Sequence, residues 1–201
     1  MQNNSGDVTV SRFYRLRSAH WFMAAVFVIG GLVAPAPGSA QLDSNTATVA
    51  LTATLLESLT VSATPSAVTF SLNSGTTTNG SAPVAVTTSW VLGPTRTQVN
   101  VYGFFLSATA ALSDGSSHDI ASSKVLGRVT TGSPTSYTAF TQTAAFGAAG
   151  AGLQLLSQTI SAANVAGTRT DNLDLQIDLT SSTQTPAAVY TGTLSIRAQA
   201  L

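Results

Sequence analysis

The sequence predicts an all-β protein: an antiparallel β-sandwich, Ig-like in the broad sense, preceded by a signal-peptide helix. Three observations lead there. Several short runs alternate apolar and polar residues with period two. Turn residues separate them at roughly 10–20 residue spacing, and no convincing helix follows residue 40. The chain is rich in Thr and Ser and almost without Lys, and it has no cysteine.

The first 40 residues read as an export address. Arg12, Arg15 and Arg17 form a basic region, Trp21–Val33 an uncharged apolar run, and Gly38 and Ala40 the small residues of a signal-peptidase site. The apolar run is shorter than the ~18–20 residues a membrane span needs. Cleavage after Ala40 is therefore expected, with membrane contact only before it, a mature start at Gln41 and a single β-sandwich domain over 41–201. The expected location is secreted, periplasmic or cell surface. The mature part carries five basic and seven acidic residues, a formal charge of −2. With no basic patch, nucleic acid is excluded as a partner. A domain without disulfides must be held by its core.

In chain order, Thr46–Leu55 sets Ala47, Val49, Leu51, Ala53 and Leu55 against threonines. It reads as the domain's own first strand, so its removal should destabilise the fold. A donor strand for a neighbouring subunit is the alternative. Leu59, Val61 and Ala63 form a second run, ended by Pro65, and Val68, Phe70 and Leu72 a third. Asn73–Ser81 is a polar loop with an Asn79-Gly80 turn signal. Val84, Val86, Thr88, Trp90 and Leu92 share one face of the next strand. Gln98–Leu106 is apolar on both faces and hence central. Ser113–Ser116 is a turn, and Ile120–Val129 holds a short strand. Thr130–Gly152 is a long loop with one strand piece, and Leu153–Ile160 is a strand rather than a helical turn. Ala162–Thr168 turns the chain into the last pair. There Leu173, Leu175, Ile177 and Leu179 alternate with polar residues, as do Tyr190, Gly192, Leu194, Ile196, Ala198 and Ala200. With Ser181–Val189 as the connection, the two runs read as an antiparallel hairpin. The total is seven to nine strands. A closed barrel is the alternative architecture.

Candidate chemistry is sparse. Ser117-His118-Asp119 has the residue types of a hydrolase triad, but three consecutive residues cannot converge in a proton relay. Asp174 and Asp178 share a strand face, and Asp171 and Asp114 join them only through tertiary folding. Calcium wants six or more oxygens, so the plainer reading is a solvated face. Trp90, Tyr102, Phe104 and Phe105 are either an aromatic platform for sugars or core. Arg96 and Arg128 are lone cations. Tyr190 stands at a corner where a phenol bonds back to nearby backbone. No catalytic, cofactor-binding or metal-binding residue is assigned, and no cofactor.

The segments Ala47-Thr-Val-Ala-Leu-Thr-Ala-Thr54, Leu59-Thr-Val-Ser-Ala-Thr-Pro65 and Tyr190-Thr-Gly-Thr-Leu-Ser-Ile196 resemble small secreted bacterial β-sandwich proteins of unassigned function. More distantly they are similar to fimbrial and spore-coat-U-type subunits. Those fimbrial families often carry a cysteine pair, which this chain lacks. The resemblance implies a non-enzymatic surface or fibre component. The expected function is thus an exported structural or adhesive cell-envelope protein. Its expected partners are other envelope proteins, further copies of itself, or glycans. A carbohydrate-binding module is the alternative.

Overall fold

The computed structural model describes residues 42–182 and 184–201. The export address at 1–40 lies outside the described residues. The chain divides into two units at Ala50/Leu51. Of the first, Leu42–Ala50 is exposed and carries no strand. The second, Leu51–Leu201, holds every strand.

Among the described residues eleven strands form, all paired antiparallel. In order they are β1 (Ser58–Thr64), β2 (Thr77–Asn79), β3 (Val84–Val91), β4 (Gln98–Phe104), β5 (Leu112–Ser113), β6 (Asp119–Ile120), β7 (Val125–Val129), β8 (Thr138–Ala139), β9 (Gly152–Thr159), β10 (Ala166–Asp178) and β11 (Ser195–Ala200). The larger sheet runs β1-β3-β10-β7-β8, with β2 on β10. The second runs β11-β4-β9, and β5 and β6 make a small hairpin.

The two larger sheets share one core, to which Val84 and Val86 of β3, Val101 of β4, Leu153 and Leu155 of β9, and Leu173 and Ile177 of β10 all contribute. The alternation read from the sequence is the reason. Val84, Val86, Thr88 and Trp90 are buried, while the residues between them are half-buried. Leu173, Leu175, Ile177 and Leu179 are buried in the same way. Thr88 sits among these apolar side chains at 2% exposure, the polar member of its row. At the far end Trp90, Leu92, Val99 and Ile160 form a second cluster, and the indole of Trp90 donates to the Asn164 carbonyl at 2.9 Å. β4 is central to its sheet, as its two apolar faces predict.

Four expectations are corrected. The two C-terminal runs are not a hairpin. β10 pairs with β3, β7 and β2, whereas β11 pairs with β4 in the other sheet. The connection between them crosses from sheet to sheet, and Tyr190–Leu194 precedes the strand rather than opening it. Alternation fixes which face a strand buries, but both sheets bury the same side, so it does not choose the partner. Second, Thr46–Leu55 is not a strand of this domain: Val49, Leu51 and Leu55 are 82%, 90% and 85% exposed. Third, Val68, Phe70 and Leu72 pack on the core without joining a sheet. Fourth, the polar loop Asn73–Ser81 contains β2, whose Asn79 accepts from Gln176 of β10 at 2.8 Å.

Candidate functional site: an open groove between two free strand edges

Among the described residues β1 forms a ladder with β3 alone and β11 with β4 alone. The outer edges of β1 and β11 approach each other without pairing. Beyond Thr64 the chain leaves β1 at Pro65 and continues to Leu72 outside any sheet. Between this stretch and Tyr190–Ile196 lies a groove of about 890 Å³. Its floor is the core itself: Val84, Leu175, Ile177 and Leu179 all face it. Val68, Phe70 and Leu72 form one wall, Leu194 and Ile196 the other.

The walls carry unused backbone. Among the described residues, Pro65–Leu72 makes backbone hydrogen bonds only through Thr69. Its carbonyl accepts from Ser81 N at 2.9 Å, and its N–H donates to Ser81 Oγ at 3.1 Å. Extended chain with unpaired N–H and C=O groups is a template for another strand, and the half-buried apolar side chains of the walls are the other half of such a site. The opposite wall is firmly set. Ser113 and Thr191 exchange both backbone bonds at 2.9 Å. Gly192 is required there, since a Cβ would overlap the Ala111 carbonyl. Tyr190 donates to the Pro186 carbonyl at 3.0 Å, the backward bond its position predicts. Desolvation, with Asp114 and Asp119 nearby, holds its phenol above the ordinary pKa.

The residues singled out in the sequence fall elsewhere. His118 Nδ1 meets Asp114 Oδ2 at 2.8 Å, not Asp119 or Ser117, and closes the tight β5–β6 turn. Asp114 also accepts from Ser116 N at 2.7 Å, the main reason its carboxyl sits below the ordinary pKa. The aspartates considered for calcium are dispersed into separate contacts. Asp174 accepts from Arg128 at 2.7 Å, and Asp171 is paired with Arg169 at 2.7 Å. Asp178 accepts from its neighbour Thr180. Among the described residues no three His, Cys, Asp or Glu side chains come together. Arg96 and Arg128, read as lone cations, are not: they hold Glu57 and Asp174.

The four aromatics do not make one platform. Trp90 and Phe105 are core. Tyr102 and Phe104 lie on the outer face of β4, under Phe146 from the preceding loop of β9. The alternation of Val68, Phe70 and Leu72 marks one wall of the groove in the sequence, but not the groove itself.

No family model, curated protein or solved structure matches this chain.

Proposed function

We propose that this protein is a non-enzymatic structural subunit of the bacterial envelope, exported and joined to its neighbours by strand addition. The observation that carries the reading is one pairing of opposites: a groove whose apolar walls, Val68, Phe70, Leu72 and Leu194, are only half-buried, and an exposed alternating segment in the same chain. Val49–Leu56 and Pro65–Leu72 are each eight residues, about 26 Å when extended. Val49, Leu51, Ala53 and Leu55 would face the floor, with threonines outward.

The strand order favours the same reading. With β8 and β9 set aside, β1-β3-β10-β7 and β11-β4 are compatible with the Ig-like order of two packed sheets. On that reading one more strand would lie beyond β11, on the side of the groove.

A second copy is a better donor than the chain itself. Glu57 anchors the base of the segment by accepting from Gly93 N at 2.6 Å and pairing with Arg96 at 3.0 Å. Ser58 faces Val91, at the opposite end of β1 from Thr64 and Pro65, where the groove begins. To enter its own groove the segment would have to double back along the whole of β1, roughly 20 Å, before reaching it. Donation to a neighbour needs no reversal. It is also heterologous, so each added copy leaves a new groove and a new segment free, and open filaments result.

The test uses exported protein, examined by native mass spectrometry and electron microscopy. Filaments are expected, with the 41–56 deletion giving folded monomers of unchanged melting temperature. A peptide of Thr46–Leu56 should bind those monomers and block filament growth. Filaments from the deletion protein, or a peptide that does not bind, would overturn the reading.

A further inference from the structure

Away from the groove, the outer face of β11-β4-β9 presents an aligned row of three side chains. Arg197 of β11 stands opposite Tyr102 of β4, which stands opposite Gln154 of β9. Gln154 Nε2 lies 3.5 Å from the Tyr102 hydroxyl, a long bond that a better partner would replace. The next row is Gln199, Asn100 and Ser157.

Two features of these rows have no use within the fold. Arg96, Arg128 and Arg169 each hold a carboxylate, and Lys124 donates to Ser181. Among the described residues Arg197 is the arginine that holds none. Its guanidinium instead lies 4.5 Å from the centre of the Phe146 ring. Stacking of this kind holds the guanidinium in place while leaving its N–H fork free. Second, Asn100 is 4% exposed, and its Oδ1 has no hydrogen-bond partner. A buried acceptor left unmade is costly, and native proteins carry few of them.

We propose that this face binds a carboxylated saccharide, with Arg197 as the carboxylate-binding residue. The guanidinium fork pairs a carboxylate through two parallel bonds. The Tyr102 ring beside it offers an apolar edge to a sugar ring, while its hydroxyl, Gln154 and Gln199 offer neutral donors and acceptors. Asn100 Oδ1, in the neighbouring row opposite Gln199, is the acceptor that a ligand hydroxyl would satisfy. One cation among neutral amides suits a single carboxylate better than a polyanion, whose binding rests on several cations at once. The site is distinct from the aromatic set first suggested by the sequence, because it turns on Arg197 and Asn100. It is also independent of strand addition, since it lies on the outer face and not in the groove.

The experiment is calorimetric titration of the purified protein with galacturonate, with its methyl ester, with sialyllactose and with lactose. The ester keeps the sugar and removes the charge, and sialyllactose distinguishes a sialic acid from a uronate. At least one acidic ligand is expected to bind, with the galacturonate ester or neutral lactose at least tenfold weaker than its acidic counterpart. Arg197→Gln should lose about tenfold or more towards the acid at an unchanged melting temperature, and leave the neutral ligand's weak binding as it was. Phe146→Ala, which frees the guanidinium, should fall between. Failure of both acidic ligands to bind, equal binding of acid and neutral forms, or an Arg197→Gln protein that binds as the parent does would each overturn the assignment. None of these outcomes bears on whether filaments form.

Discussion

Thr46–Leu55 and Leu173–Leu179 have the same grammar and opposite fates. Both set aliphatic side chains at every second position among polar residues. Ile177 is wholly buried, whereas Leu51 is 90% exposed. The difference lies in what each segment finds beside it. β10 has β3 and then β2 along one edge and β7 along the other. The earlier segment meets no edge of its own domain, while an edge of the right length stands open in the groove. Alternation therefore marks a segment ready to be a strand, and the choice of partner is made by topology.

The sharpest way to break this comparison is to remove a strand that has a partner. Deleting Ser195–Leu201 should abolish folding. It strips β4 of its neighbour along the whole of β11 and takes away Ile196 and Ala198, both packed on the core. The edge left bare is that of β4, not of Leu173–Leu179. A loss of this size exceeds what a domain with ~5–15 kcal/mol in total tolerates. Circular dichroism of the truncated protein reads the outcome, and a cooperative melt near that of the intact protein would show that β11 is dispensable.

Single substitutions sharpen the contrast. Ile177→Ala should cost about 2–5 kcal/mol, as for a large core side chain cut back at a packed site. Leu51→Ala should cost less than ~0.5 kcal/mol in the monomer, because nothing covers it, yet should slow filament growth. Urea denaturation measures the first pair of values and light scattering the last. Equal costs would mean that Leu51 is buried in the free protein and that the segment is its own first strand after all.

Much of this was legible in the sequence. β3 and β11 lie within the runs that period two picks out, as do most of β1 and the Leu173–Asp178 half of β10, because their side chains are sorted between core and solvent. β4 was marked by its two apolar faces instead, and Ala166–Thr168, read as part of a turn, is the start of β10. Partners were not legible. The β10 and β11 runs look like neighbours in the chain, but the connection between them carries the chain to the other sheet, which a local pattern does not encode. β2 was hidden because Thr77–Asn79 has no apolar alternation; it is held instead through backbone pairing and the Gln176–Asn79 bond. The groove was hidden for a related reason. It consists of what is missing beside Val68, Phe70 and Leu72, and a sequence names residues rather than gaps. Arg197 looked like any polar strand residue until the other arginines were seen to be paired.

A smaller effect separates the outer faces from the cores. Gln199→Ser should shift stability by less than ~0.5 kcal/mol, since Gln199 is half-buried and makes no hydrogen bond that holds β11 to β4. Thermal melts of this variant beside Ile177→Ala test the register of β11. A Gln199→Ser protein that melts as low as Ile177→Ala would reverse the inward and outward faces assigned to it.

The smallest expected effect is the response to acid. Three carboxyls, the exposed Glu57 and the partly buried Asp114 and Asp178, are held below their ordinary pKa. For Glu57 the causes are the hydrogen bond from Arg96 and then that from Gly93 N. For Asp114 the leading cause is Ser116 N, and for Asp178 the hydroxyl and N–H of Thr180. A folded-state pKa below the unfolded one means that the folded protein binds the proton less readily than the unfolded chain. The contribution to stability is therefore complete above the unfolded value and is lost as pH falls through the folded value. Melting temperature should hold steady from neutral pH down to about 4–5 and decline below. Glu57's share of the decline should be small, because an ion pair this exposed is screened by solvent and salt. Glu57→Gln should remove its share of the slope while leaving β1 intact, since Ser58–Thr64 is held to β3 by the ladder and not by this side chain. Melts of parent and variant between pH 7 and 3 measure it. If Glu57→Gln instead lowers the melting temperature steeply at neutral pH, the root of the exposed segment contributes to the fold, and the boundary drawn here between the domain and the strand it offers lies earlier in the chain.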